Sequence, residues 1–408
     1  MRIKYFIVLL AVVVVCSGCS SSLPRQKKDA GPAIASLQKG DFEAASQAAE
    51  DTLKKNNDNH YAHLVRAIVR YKDAMHQLAI ILYGSARTGA SQNFDERQLM
   101  SLVEKSEAEL KLAAEDLEKA SHKDINLELC IACWRYDWNH NGRIDANDEK
   151  LFEIEFDANG KEIPQGDPRR KPVFRFDAGD VEWARAFVSF QRALLDIILA
   201  YDWNILLGLG HGRATDLNKF RLPLTAPQRI AEARSRIMEG TKYAEKARRL
   251  YLKETDDDRE WVPNPRQKNH PLPLPVDEKL YETWQGILDD VNNLVKGDDG
   301  LSVAEIAQLG GHQWKIPPKG YINISLMLNN PKEIVIETQA IVDIFDASYS
   351  KSEVPAAVEK SLQQILGDYY VPEMKPSPLL KRLVRMKGEI DRRQEPLERK
   401  LRYLLWLN

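Results

Sequence analysis

The chain has 408 residues, a net charge of −2, 43% hydrophobic and 29% charged residues. Charge this close to balance excludes the basic footprint of a nucleic-acid-binding protein, and the apolar fraction excludes a disordered chain. The length fits two domains or one elongated helical body.

Arg2 and Lys4 precede an unbroken apolar run from Phe6 to Val15, and "CSGC" follows. A basic flank with so short an apolar run has the layout of a secretory signal peptide over residues 1–18, since a membrane-spanning helix needs about twice that length. Ser17-Gly18 before Cys19 resembles a bacterial lipoprotein lipobox, with Cys16 where an aliphatic residue is usual. The resemblance implies a lipid on Cys19 and a membrane partner through that anchor; ordinary signal cleavage without a lipid is the alternative. Ser20, rather than Asp, is similar to the outer-membrane sorting pattern of bacteria with two membranes. The expected place is the outer membrane, facing the periplasm or cell surface. Residues 19–29, with "SSSLPRQKKD", read as a flexible tether.

Helical periodicity then dominates. Residues 31–56 put Ala33, Leu37, Phe42, Ala45, Ala49 and Leu53 on helical stripes around a turn at Lys39-Gly40-Asp41. That order resembles one tetratricopeptide repeat, and a plain helical hairpin is the competing reading, because an array needs about three units. Further helices are expected at about 94–121, 124–136, 180–201, 226–253, 276–297, 353–366 and 378–404. Asp180 is the expected cap of the third of these, whose apolar residues cover most sides, so it is expected to be central. "FEIEFDANGKEI" alternates and breaks at Asn159-Gly160, a hairpin signal. Residues 254–277 carry five Pro and no period, which marks a long loop or boundary. "YINISLML" and "EIVIETQAIVDIF" have strand character. The expected fold is mainly α: a multi-helix bundle or short helical array with a small β-hairpin insertion. Its expected parts are residues 30–121, 122–253 and 278–408, on either side of the Pro-rich loop.

The sharpest chemistry lies in "DWNHNGRIDAND", residues 137–148. Acidic or amide side chains recur at Asp137, Asn139, Asn141, Asp145 and Asp148, with Gly142 at the sixth position and Arg143 offering a backbone carbonyl at the seventh. A hard cation such as Ca²⁺ needs about seven oxygens from one continuous loop, and this spacing supplies them. Ile144 is expected to face away and tie the loop to the core. The pattern resembles an EF-hand-type calcium loop preceded by a helix ending near Tyr136. Asp148 replaces the usual final Glu, as in dockerin-like calcium modules. The resemblance implies a structural Ca²⁺ rather than a switch, with affinity in roughly the 10⁻⁴–10⁻³ M range. An Asn/Asp-rich turn without an ion is the competing reading.

Cys130 and Cys133 form a CxxC placed inside the helix expected at 124–136. A structural disulfide is the default in an oxidising compartment, with redox chemistry as the alternative and zinc disfavoured for want of further soft ligands. "YDWN" occurs at 136–139 and again at 201–204, each time expected at a helix end, which raises an old duplication against chance recurrence. The tryptophans are expected in the core, and the basic C-terminal helix is expected to dock on its own domain, with anionic lipid as the alternative.

The sequence holds no nucleophile elbow, HExxH, P-loop or His-centred triad candidate. The expected function is a non-enzymatic, membrane-anchored lipoprotein, a calcium-stabilised binding or scaffold module for a protein partner. A solute-binding component of a periplasmic transport system is the alternative, favoured by an internal pocket lined by the helix from Trp183 to Asp202, with Trp203 at its mouth. A carboxylate-based hydrolase is the third, with Asp196 as its candidate acid.

Overall fold

The structure, a computed structural model, describes residues 23–87, 96–122, 124–137, 143–145, 148, 152–157, 161–203, 219–257, 259–268, 270, 276–309, 319–337 and 355–391. The fold is mainly α with small antiparallel sheets, as expected. No helix among the described residues is long and apolar enough to cross a membrane. Cys19 and the signal-like segment lie outside the described residues.

The chain begins with helices α1 (Leu23–Asp29), α2 (Gly31–Gln38), α3 (Phe42–Lys55) and α4 (His60–Arg87). From Leu23 on, the expected tether is helix α1. Gln26 is buried there, its carbonyl accepting from Asn59 Nδ2 at 3.0 Å and its side-chain oxygen from the His60 amide at 3.0 Å. Two such bonds pin a polar segment that composition alone reads as solvated. The α2–α3 hairpin turns where expected, at Gly40, whose φ of 74° is left-handed. Asp41 caps α3 by accepting from the Ala44 amide at 3.1 Å.

Helix α5 (Glu96–Ala120) packs on α4 around a buried acid. Asp116 accepts from Arg66 Nη2 and Arg70 Nη1, each at 2.6 Å, and lies 2.7 Å from His63 Nδ1. Burial pushes its carboxyl up, but the hydrogen bonds from His63 and Arg66 and the charge of the two arginines outweigh this and leave it below its ordinary value.

The helix expected at 124–136 is absent. In its place stand strand β1 (Leu127–Leu129) and a single 3₁₀ turn at Ile131–Cys133. The physical reason is a period of two: Leu127 and Leu129 are buried while Glu128 points outward to Arg259 at 2.8 Å. β1 pairs antiparallel with β2 (Phe174–Phe176). The 152–163 hairpin is present, with Phe156 opposite Glu162; its tip at Asn159-Gly160 lies outside the described residues.

Helix α6 (Ala178–Leu199) is central, packed by α5 on one side and by α7 (Pro227–Lys253) on the other. It is capped by Asp177 rather than Asp180. Asp177 Oδ1 accepts from the Gly179 amide, and Asp180 Oδ2 accepts back from the Asp177 amide, a reciprocal capping box. Small residues bring α6 and α7 together: a Cβ at Gly240 would meet the Phe190 ring at 2.7 Å. Leu194 is the exception to the expected apolar cover and is exposed. One core runs from Ala30 and Leu37 through Val65, Leu110 and Leu127 to Val188 and Leu199.

Strand β3 (Lys219–Leu222) pairs with β6 (Ile334–Glu337), and α8 (Glu278–Lys296) packs on α7. Strands β4 (Leu301–Ser302), β5 (Tyr321–Ile322) and β7 (Tyr370–Val371) form a small sheet around α9 (Val303–Leu309), α10 (Ile324–Asn329) and α11 (Pro355–Leu366). "YINISLML" is therefore only briefly a strand: Asn323 accepts from the Leu326 amide and starts α10. Helix α12 (Leu379–Asp391) docks on its own fold, with Arg382 Nε on Asp290 at 2.8 Å. Residues 392–408 lie outside the described residues.

Candidate functional site

The calcium-type loop is described at Asp137, Arg143, Asp145 and Asp148; Asn139, Asn141 and Gly142 lie outside the described residues. Asp145 and Asp148 are brought together, the Asp145 amide donating to Asp148 Oδ2 at 3.0 Å, and Asp148 is buried. Arg143 Nε stands 3.9 Å from Asp145 Oδ2. Two expectations fail here. Ile144 is 42% exposed and does not tie the loop to the core. The incoming segment, Trp134 to Asp137, follows a 3₁₀ turn and not a helix. Its anchor is aromatic instead: Trp134 meets Phe42 at 5.1 Å and Phe152 at 6.3 Å between centroids, both edge to face. The loop thus leaves and re-enters the body at a pair of touching rings.

Cys130 and Cys133 are bonded, with Cα atoms 5.2 Å apart across the 3₁₀ turn. The pair follows a strand rather than lying within a helix. The two "YDWN" copies consequently differ in setting: Tyr201 follows the end of α6, whereas Tyr136 follows the disulfide turn. A shared helix end therefore gives the duplication reading no support.

A second group of acids was not legible beforehand. Asp177, Glu254 and Glu260 each bring a carboxylate oxygen within 4.8 Å of the others, a set that could hold a metal ion. Three elements assemble it: the start of α6, the end of α7 and the packed loop that follows. Asn264 fixes that loop, donating to the Tyr251 carbonyl at 2.8 Å and the Glu254 carbonyl at 3.2 Å. Arg259 holds φ 54°, a left-handed conformation uncommon without glycine, and its carbonyl accepts from the Arg175 amide. Arg175 reaches Asp256 at 2.6 Å and also Glu260. Burial, with the neighbouring charge of Asp177, pushes Glu254 up to about 10 and Glu260 up to about 7; the Arg175 charge opposes the latter. Burial likewise drives Asp180 well above its ordinary value, and Tyr251 donates its hydroxyl to it at 2.9 Å. The residues look separately like a helix cap and a charged "ETDDDRE" run. Only the fold joins them.

Two concavities complete the geometry. A partly open apolar pocket of about 180 Å³ lies between α4 and α6, lined also by β1, Trp134, Phe152, Phe176 and Trp261. Asp180 and Trp183 are in its wall; Trp203 is not, its indole donating to the Ile198 carbonyl at 2.7 Å. An open groove of about 730 Å³ runs along α3 and α4, lined by Asp41, Glu43, Gln47, Glu50, Lys72 and Asp73 among others. Asp196 is not at either. It is fully buried between Arg229, at 3.0 Å, and Arg236. No family model, curated protein or solved structure matches the chain.

Proposed function

We propose that the protein is a membrane-anchored, extracytoplasmic binding or scaffold module without catalytic activity. Cys19 carries the lipid, and Ca²⁺ orders the loop through Asp137, Asn139, Asn141, the Arg143 carbonyl, Asp145 and Asp148. The observation that carries the reading is the groove along α3 and α4, an open polar surface on a helical hairpin and large enough to seat a segment of a protein partner. Its acids, Asp41, Glu43, Glu50 and Asp73, suit a basic segment. The burial of Asp196 between two arginines speaks against the hydrolase alternative that would use it, because a carboxylate so paired has no path to a substrate.

The anchor is tested by fractionation: Cys19→Ser should move the protein from the membrane to the soluble fraction. The ion is tested by thermal unfolding in EDTA and then with Ca²⁺ or Mg²⁺. A calcium-selective rise abolished by Asp137→Ala supports the loop site. A rise abolished by Glu254→Gln instead puts the ion at the other acid cluster. No rise at millimolar Ca²⁺ sinks the calcium reading.

The solute-binding alternative is favoured by one observation, the partly open apolar pocket walled by α6, the helix expected to line it. Its mouth is not at Trp203.

A further inference from the structure

The apolar cavity is built as a binding site, and its walls restrict what can fill it. Its volume of about 180 Å³ matches a small ligand, since cavities of about 150 Å³ lined by apolar side chains stay dry and admit benzene. Most of the wall is aliphatic and aromatic: Leu64, Ile68, Leu129, Phe176, Phe187 and Trp261 are representative. Packing normally fills apolar space, so a partly open pocket of this size between α4 and α6 leaves apolar wall without contacts that an occupant would supply.

The carboxylate, hydroxyl and ammonium groups in the wall are already engaged; the Trp183 indole N–H, also in the wall, is buried without a hydrogen-bond partner and could meet only an uncharged acceptor or a ring face. Asp180 accepts from the Tyr251 hydroxyl at 2.9 Å and the Asp177 amide at 2.8 Å. Tyr71 bonds Gln191 at 3.2 Å. Lys72 lies 2.6 Å from Asp73 and 3.3 Å from the Tyr136 hydroxyl. None of these partners is free to fix an incoming charge, and an ion entering without one would lose its hydration uncompensated.

We infer that this cavity binds a compact, uncharged, apolar molecule the size of one aromatic ring or a short branched hydrocarbon. The inference rests on the solute-binding reading and names its ligand class. Three of the lining residues, Trp134, Trp183 and Trp261, are built-in optical reporters.

The test uses the purified chain carrying Cys19→Ser, which keeps the whole folded body and removes the anchor. Toluene and tetramethylammonium are titrated separately while tryptophan emission and the thermal midpoint are followed. Toluene should give a saturable emission change and a raised midpoint. Ala67→Leu and Ala184→Phe each add side-chain volume to the wall and should weaken toluene binding at least about tenfold while keeping a cooperative melt. Should either variant fail to melt cooperatively, competition settles the matter in the unaltered body: benzene should displace toluene and methanol should not. Binding of tetramethylammonium in preference to toluene would overturn the ligand class and leave solute binding standing, with the aromatic walls acting as a cation cage. Saturable binding of neither would overturn both.

Discussion

The Tyr251 hydroxyl donates to Asp180 Oδ1 across 2.9 Å with both side chains buried, which joins the end of α7 to the start of α6. The contact depends on Gly179, where a Cβ would meet the Tyr251 ring at 2.6 Å. Tyr251→Phe removes this donor to Asp180 Oδ1 and should cost about 1–3 kcal/mol in urea unfolding. Gly179→Ala should cost at least as much. A loss below about 0.5 kcal/mol in both would show that the α6–α7 junction does not rely on this pair.

Protonation at the acid cluster makes stability depend on pH in a defined direction. Glu260 titrates near 7 when folded, against an ordinary 4.5, because burial and Asp177 disfavour its charge. Between those values the folded state keeps a proton that the unfolded chain releases. That contribution is complete below about pH 4.5 and lost as pH rises through 7, on the order of 3 kcal/mol. Glu254, pushed to about 10, extends the decline upward. The thermal midpoint should be higher at pH 5 than at pH 8, and Glu260→Gln should flatten the change between them. An unaltered slope in that variant would refute the assignment.

Gly40 meets the backbone of the disulfide segment: a Cβ there would lie 3.1 Å from the Arg135 nitrogen and 3.2 Å from Trp134 Cα. With φ at 74° as well, Gly40→Ala is opposed by both strain and contact. The expected loss is about 1–3 kcal/mol by chemical denaturation. The same substitution at Gly31, where nothing lies within 4 Å and no left-handed φ is required, should cost far less.

The disulfide closes a very short ring, so it restrains little of the unfolded chain. Replacing Cys130 and Cys133 together by Ser should lower stability by at most about 2 kcal/mol and leave the helical signal in circular dichroism intact. A redox role would show instead as thiol–disulfide exchange with a dithiol reporter.

The long helices were legible because their apolar residues repeat at helical spacing over many turns. α5, α7 and α8 lie within a few residues of where periodicity puts them. Short segments failed where a tertiary partner decided the matter. Leu127 and Leu129 stand two apart, the spacing of a strand face, but a run this short is outweighed by the apolar residues around it, and pairing with Phe174 and Phe176 fixed the strand. Asp177 and Asp180 are both good caps, and the reciprocal bond between them, not composition, settled which comes first. Spacing alone singled out Asp137 to Asp148, yet it could not foresee an exposed Ile144. Asp177 lies far along the chain from Glu254 and Glu260 and shares no pattern with them, so no reading along the sequence joins the three.

The contact between Gly40 and Trp134 also bears on the order of assembly. Helices α2 and α3 pair with neighbours in the chain, and so do α4 with α5; such local contacts form quickly. The turn between α2 and α3, however, docks on a segment that lies beyond all of these helices. Until that segment arrives, the hairpin has its helices but lacks its seat, and the Phe42 and Trp134 rings remain open to water. Wherever the local helices form before that segment docks, one sticky aromatic surface stays uncovered, and it is a place for self-association to begin.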